Sequence, residues 1–140
     1  MFKKGITLII GCCVPRMLIA ATVSVFVSFS MPNNLLEETL KESARLNIPV
    51  YLNGLYHDSM QLTASKVIEL SEHVPNLNLQ IDPTLFERFG IYQVPALVVD
   101  NGSSFDVIYG HLPLKEGLMR MVDRGESGFS TLDARRVIGE

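Results

Sequence analysis

The segment "FGIYQVPALVVDNG", Phe89 to Gly102, restricts the possible folds more than any other part of the chain. Ala96 to Val99 is a short apolar run, and Asn101-Gly102 behind it is a strong short-range turn signal between strands. "SSFDVIYG" follows, again β-branched and aromatic. Two strands joined by so short a turn must be antiparallel neighbours. Upstream, apolar runs alternate with helical periods, and strands separated by helices are parallel. The chain therefore needs a mixed sheet, with a parallel part first and a hairpin last.

The upstream elements follow from local pattern. "TVSVFVSF", Thr22 to Phe29, reads as a strand. "SMPNN" breaks it, and Leu36, Leu40 and Ala44 give the next stretch, Leu35 to Leu46, a helical period. Ile48 to Asn53 is a second strand, ended by Gly54. Ser59 suits the cap of a second helix, with Leu62, Val67 and Leu70 toward the core, stopped by Pro75. Leu77 to Ile81 alternates as a short strand. In "DPTLFERFG", Asp82 is a cap, Pro83 fits the first helical position and Gly90 the C-terminal turn. After the hairpin, a helix from Pro113 to about Arg124 carries Leu114, Leu118, Met121 and Val122 on one side. Gly117 weakens it slightly. The order is β-α-β-α-β-α-β-β-α. Residues 126–140 are polar and read as a loose tail with a turn of helix near Asp133.

The N-terminus has the layout of an export signal. Lys3 and Lys4 precede the apolar run Ile6 to Val14, and the small pair Ala20-Ala21 suits cleavage. Pro15-Arg16 interrupts the run, which argues against one continuous span of about 18 apolar residues. Ile9-Ile10-Gly11-Cys12 also resembles a lipid-attachment site, ranked below simple cleavage, and an uncleaved membrane anchor stays open. The expected division is a leader over 1–21, a domain over 22–125 and the tail. Removing a leader that ends near Ala20 lowers the basic residues from 12 to 9. All 15 acidic ones stay, so net charge goes from −3 to −6. An acidic domain without a basic stripe is a poor nucleic-acid binder.

Only two cysteines exist, Cys12 and Cys13, adjacent and inside that leader. Neighbouring cysteines do not form a spaced Cys-x-x-Cys site. His57, His73, His111 and Asp58 lack metal-ligand spacing and read as surface residues, so neither metal nor cofactor is expected. Ser30 has no implied base and reads as a cap or turn residue rather than a nucleophile.

"FGIYQVPALVVDNG" through "YGHLPLKEGLMRMV" resembles the C-terminal half of thioredoxins and bacterial disulfide isomerases. The resemblance implies an α/β, thioredoxin-like mixed sheet with helices on both faces and a cis Val94-Pro95 bond. In those enzymes the proline faces a dithiol at a helix start. Here the first strand runs into Ser30-Met31-Pro32-Asn33, so Ser30 and Asn33 stand in both cysteine places. Either Ile48–Asn53 or Leu77–Ile81 can match the next thioredoxin strand.

A closer resemblance rests on "VFVSFSMP", Gly54-Leu55, "IDPTLFERFGIYQVPALVV" and "VIYGHLPL". Together these resemble the TrbC family of type-F conjugative pilus assembly proteins over about residues 23 to 125. The resemblance implies export to the periplasm and work within a type IV secretion machinery. It also implies binding to a TraW-like partner and other envelope components, with the membrane met only through the leader. An arginine is expected before Gly54; this chain has Asn53. A longer segment between leader and domain is also expected in many members and is missing here. On this reading the chain is not an enzyme. The alternative, a thiol-disulfide isomerase relative or chaperone, is disfavoured by the missing thiols. The backbone before a thioredoxin-type proline can pair with an extended peptide. Ser30, Met31, Pro32, Asn33, Tyr92, Val94 and Pro95 are thus the candidate partner-binding residues.

Overall fold

The computed structural model describes residues 20–140. Apart from Ala20 and Ala21, the expected leader, with Cys12 and Cys13, lies outside the described residues. The elements are β1 (Thr22–Val27), α1 (Asn33–Arg45), β2 (Val50–Leu52), α2 (Met60–His73), β3 (Leu79–Ile81), α3 (Pro83–Arg88), β4 (Ala96–Asp100), β5 (Phe105–Tyr109), α4 (Leu114–Met121) and α5 (Thr131–Ile138). A short 3-10 turn at Tyr56–Asp58 precedes α2.

One sheet in the order β3-β2-β1-β4-β5 carries the fold. β1, β2 and β3 are parallel; β4 runs antiparallel to β1 and to β5. Both strands that could have matched the resemblance, β2 and β3, are in the sheet. The Asn101-Gly102 signal closes the hairpin through four residues rather than two, since Asp100 pairs with Phe105. Asn101 is the reason: its Oδ1 accepts the amides of both Ser103 and Ser104.

Side chains alternate across the sheet. Val23, Val25, Val27, Leu97 and Val99 pack with Leu36 and Leu40 of α1, Leu70 of α2 and Leu114, Leu118 and Met121 of α4. The other face carries Phe26, Ala96 and Val98 against Phe86 of α3 and Phe89. Phe26 meets Phe86 edge-on at 4.9 Å and Phe89 at 5.9 Å, a favoured aromatic geometry. Helices therefore cover both faces, as expected.

Caps fall where the residues direct them. Ser59 accepts the Leu62 amide, and Asp82 accepts that of Thr84 with Pro83 at the helix start. α1 starts at Asn33 behind Pro32, with no side-chain cap, so Ser30 is a turn residue rather than a helix cap. α4 lacks a local cap as well; Glu42 of α1 supplies one, its Oε1 accepting the Leu114 amide at 2.6 Å. Gly117 lets α4 pass close to β4: a Cβ there would stand 2.7 Å from Leu97 Cδ2.

Two expectations need correction. Leu62 is 47% exposed rather than core-facing. The buried residues of α2 are Thr63 and Leu70. The Thr63 hydroxyl accepts the Tyr56 amide at 2.8 Å and donates to Ser59 O, tying α2 to the turn before it. The loose tail expected over 126–140 is instead a packed segment. Ser130 and Asp133 form a capping box for α5, and Phe129 and Ala134 are buried in the main core.

The same segment is fastened to the hairpin. Asp106 Oδ1 accepts the Glu126 amide and Oδ2 the Ser127 amide, both at 2.9 Å. Asn101 Nδ2 donates to Ser127 O at 2.8 Å. Partial burial opposes ionisation of Asp106, yet hydrogen bonds from Ser127 and Glu126 hold its carboxyl below the ordinary value. At Asp133 the Ser130 amide has the same effect. A carboxyl depressed in the folded state adds stability above its unfolded pKa. That stability is lost as pH falls through the folded value. The wild-type melting temperature should therefore drop between pH 6 and pH 3. In Asp106→Asn the drop should shrink by roughly 2–4 °C, readable by circular dichroism; an unchanged drop would dissociate Asp106 from the acid sensitivity.

Candidate functional site

The site lies at the end of the sheet where β1 stops. Register places Phe26 beside Ala96 and Val27 beside Leu52. Segment 28–32 leaving β1, segment 53–57 leaving β2 and segment 92–95 entering β4 therefore emerge at one end. Loops at the carboxyl ends of parallel strands are a common place for binding.

The structure distributes the seven expected residues unevenly. Ser30, Pro32 and Asn33 are exposed. The Ser30 hydroxyl lies 2.8 Å from that of Ser28, and the Ser30 amide donates to the same Ser28 oxygen. Met31 is only 7% exposed and belongs to the main core. Its side chain presents little to a partner, so packing takes the place of the binding role expected for it. Val94-Pro95 is cis. Val94 is half-buried and packs against both hydrophobic clusters. Tyr92, by contrast, is 81% exposed and stacks on Tyr109 at 4.6 Å. It stands with the Phe26 face of the sheet, the opposite side from Met31.

Two hollows mark this end. A cleft of about 320 Å³ is lined by Ser28, Phe29, Ser30 and the segment Leu52 to His57. Pro95 borders a separate cavity of about 20 Å³ with Val25, Glu42 and Ile108. Ser30 and Pro95 thus share a sheet end and not a cleft. The pattern reading missed the contribution of Asn53 to His57. Gly54-Leu55 was the available signal, because it follows β2, whose end lies beside that of β1. Phe29 meets Tyr56 edge-on at 5.4 Å, and Tyr56 packs on His57 at 4.1 Å. Asn53, in the place of the expected arginine, gives the cleft an uncharged amide.

Ser30 has a hydroxyl, that of Ser28, as its close side-chain partner, where an activated nucleophile needs a base. The carboxyls held below their ordinary range, Glu37, Asp106, Asp133 and Glu140, lie elsewhere. Among the described residues no group of three His, Cys, Asp or Glu side chains could hold a metal ion. No helix of the described residues is long and apolar enough to cross a membrane.

Known proteins resemble this chain in sequence and in fold. The family model described as type-F conjugative transfer system pilin assembly protein matches residues 25–120. Periplasmic protein TrbC of Escherichia coli (strain K12) is 38% identical over 101 residues. The match covers 72% of this chain and 48% of that protein, so the chain spans about half the length of this curated relative. Among solved structures, the mixed oxidized and reduced forms of MTB dsbF superpose with a TM-score of 0.54 at 17% identity. That match covers 87% of this chain and 81% of the other. The exposed lipoprotein thioredoxin Etrx1 of Streptococcus pneumoniae strain TIGR4 gives 0.50 at 13% identity, over 74% and 87%. At such identities the two likenesses establish the fold, which is thioredoxin-like.

Proposed function

Because the chain belongs to the TrbC family of type-F conjugative transfer pilin assembly proteins, we propose that it is a periplasmic assembly factor of the transfer apparatus that acts by protein binding. One observation carries the non-enzymatic part: the places of a thioredoxin dithiol at the start of α1 hold Ser30 and Asn33. The two cysteines of the chain, Cys12 and Cys13, are adjacent and precede the domain. A thiol-disulfide exchange site needs a nucleophilic thiolate and a resolving sulfur within reach. Serine and asparagine provide neither.

The proposed contact surface is the sheet end formed by Ser30, Pro32, Asn33, Val94 and Pro95, with Tyr92 at its margin and Met31 as buried support. A TraW-like conjugation protein is the proposed partner, together with other envelope components. In a donor strain lacking its own copy, the chain should restore plasmid transfer. Cys12→Ser with Cys13→Ser should restore it equally; a loss, in a wild-type protein whose intact mass carries no lipid, would overturn the thiol-free reading. Asn33→Arg should weaken co-purification of the TraW-like protein about tenfold, the size of a single interface contact. Unchanged co-purification would move the interface away from α1.

A further inference from the structure

The two edges of the sheet are built differently. β3 is three residues long and lies between Pro75 and Pro83, a short edge of the kind that resists further pairing. β5 has five residues, Phe-Asp-Val-Ile-Tyr, with neither proline nor lysine. Its hydrogen-bond parity can be read directly. Asn101 N donates to Ser104 O and Gly110 N donates to Pro95 O. In an antiparallel ladder, bonded and non-bonded pairs alternate. Leu97/Ile108 and Val99/Asp106 are therefore the bonded pairs, and Phe105, Val107 and Tyr109 turn their N–H and C=O groups outward. Among the described residues these outward groups have no protein partner.

The side chains of the same three residues share one face. Tyr109 carries the exposed Tyr92 on its ring, and Phe105, 39% exposed, stacks on Phe89 at 4.9 Å. The one charge in the strand, Asp106, is on the other face and is occupied by the amides of residues 126 and 127.

We propose that a second copy of this chain pairs with β5 through its own β5, antiparallel, about a two-fold axis at Val107. In that register Phe105 lies opposite the partner's Tyr109, Val107 opposite its own counterpart, and Tyr109 opposite the partner's Phe105. Every outward-facing residue then meets an outward-facing one, which a shift by one residue would prevent. Two Phe–Tyr cross-strand pairs form on the aromatic face. Asp106 lies opposite Ile108 of the other copy, so the pairing sets no like charges opposite each other. The contact is isologous, as closed two-fold dimers require. Each copy contributes Tyr92, 81% exposed, Phe105, 39% exposed, and the partly buried Tyr109, so only part of the about 150–250 Å² that each such ring can cover is left to bury. The contact is well below the roughly 800 Å² per partner of a standard stable interface. The dimer is accordingly concentration-dependent, with a dissociation constant on the order of micromolar or weaker.

Sedimentation equilibrium of the full chain, as its host makes it, tests the pairing. The wild type should shift from monomer to dimer with rising concentration. Val107→Lys and Val107→Glu should each weaken self-association at least about a hundredfold, because the axis sets like charges against each other. An equimolar mixture of the two should restore the dimer. A wild type that stays monomeric overturns the proposal. Dimers unaffected by either charge also overturn it, as does a mixture that fails to associate. Binding of the wild type to an extended segment of another protein, without self-association, gives the edge a different occupant and overturns it too. If the charged variants lose their folded circular dichroism spectrum, Tyr92→Lys, outside the strand, replaces them. A Tyr92→Lys dimer as tight as wild type would then decide against the pairing.

Discussion

Phe129→Ala is expected to lower the melting temperature by roughly 10–20 °C, from a loss of about 3–5 kcal/mol in a domain of this size. The ring is 1% exposed and lies in the main core with Leu118, Met121 and Ala134. Deleting it leaves a cavity that α5 cannot fill without moving. α5 is not free to move, because Asp123 N donates to Phe129 O and the capping box fixes the start of the helix. Total stability for such a domain is about 5–15 kcal/mol, so the variant should approach unfolding at body temperature. Leu132→Ala, at an exposed position of α5, should stay within about 0.5 kcal/mol. A Phe129→Ala melting curve that overlays wild type would mean that residues 126–140 are a loose tail after all.

Gly125→Ala is the second large effect. A Cβ at this position would stand 2.0 Å from Asp106 Oδ2 and 2.2 Å from its Cγ. The carboxylate must then withdraw, and the two amide bonds it accepts lose their geometry. Hydrogen bonds to a charged group are worth about 1.5–3 kcal/mol each. The half-exposed loop recovers part of this from water, which leaves an expected loss of about 2–3 kcal/mol. The diagnostic is a double-mutant cycle in chemical denaturation. Asp106→Ser removes the obstruction, so Gly125→Ala should cost much less in that background than in wild type. Equal costs in both backgrounds would show that the clash is relieved some other way.

The hairpin and the parallel half were legible because each rests on a local device. Asn101 makes the turn, Asp82 and Ser59 cap, and Pro83 opens a helix. Leu36 and Leu40 keep a helical period. The sheet end was legible too, since any strand ending in "SFSMP" beside a strand starting at Ala96 brings those loops together. Less visible was anything held by a polar side chain over distance. Thr63 is buried because its hydroxyl serves Tyr56 and Ser59, so apolar spacing assigned the inner face of α2 to Leu62 instead. α5 hides in a polar segment, although Ser130-x-x-Asp133 and the apolar Ala134, Val137 and Ile138 were present as a capping box and stripe. Glu42 capping α4 has no local signature at all. The burial of Met31 depends on how the turn after β1 folds back, with the Met31 amide on Ser28 O, which composition does not reveal.

The central place of β1 also has a consequence in time. An exported chain crosses the membrane N-terminus first, so the middle strand of this sheet arrives before any other. Val25 meets Val50 early, but Thr22 must wait for Asp100. Until residue 100 has emerged, one long side of the most buried strand has no partner. Such non-local closure is slow and exposes apolar edges to aggregation. Glu42 waits longer still, for the Leu114 amide. The fold is therefore completed backwards, its last segments closing over its first, and a chain interrupted before β4 is an open sheet rather than a smaller domain.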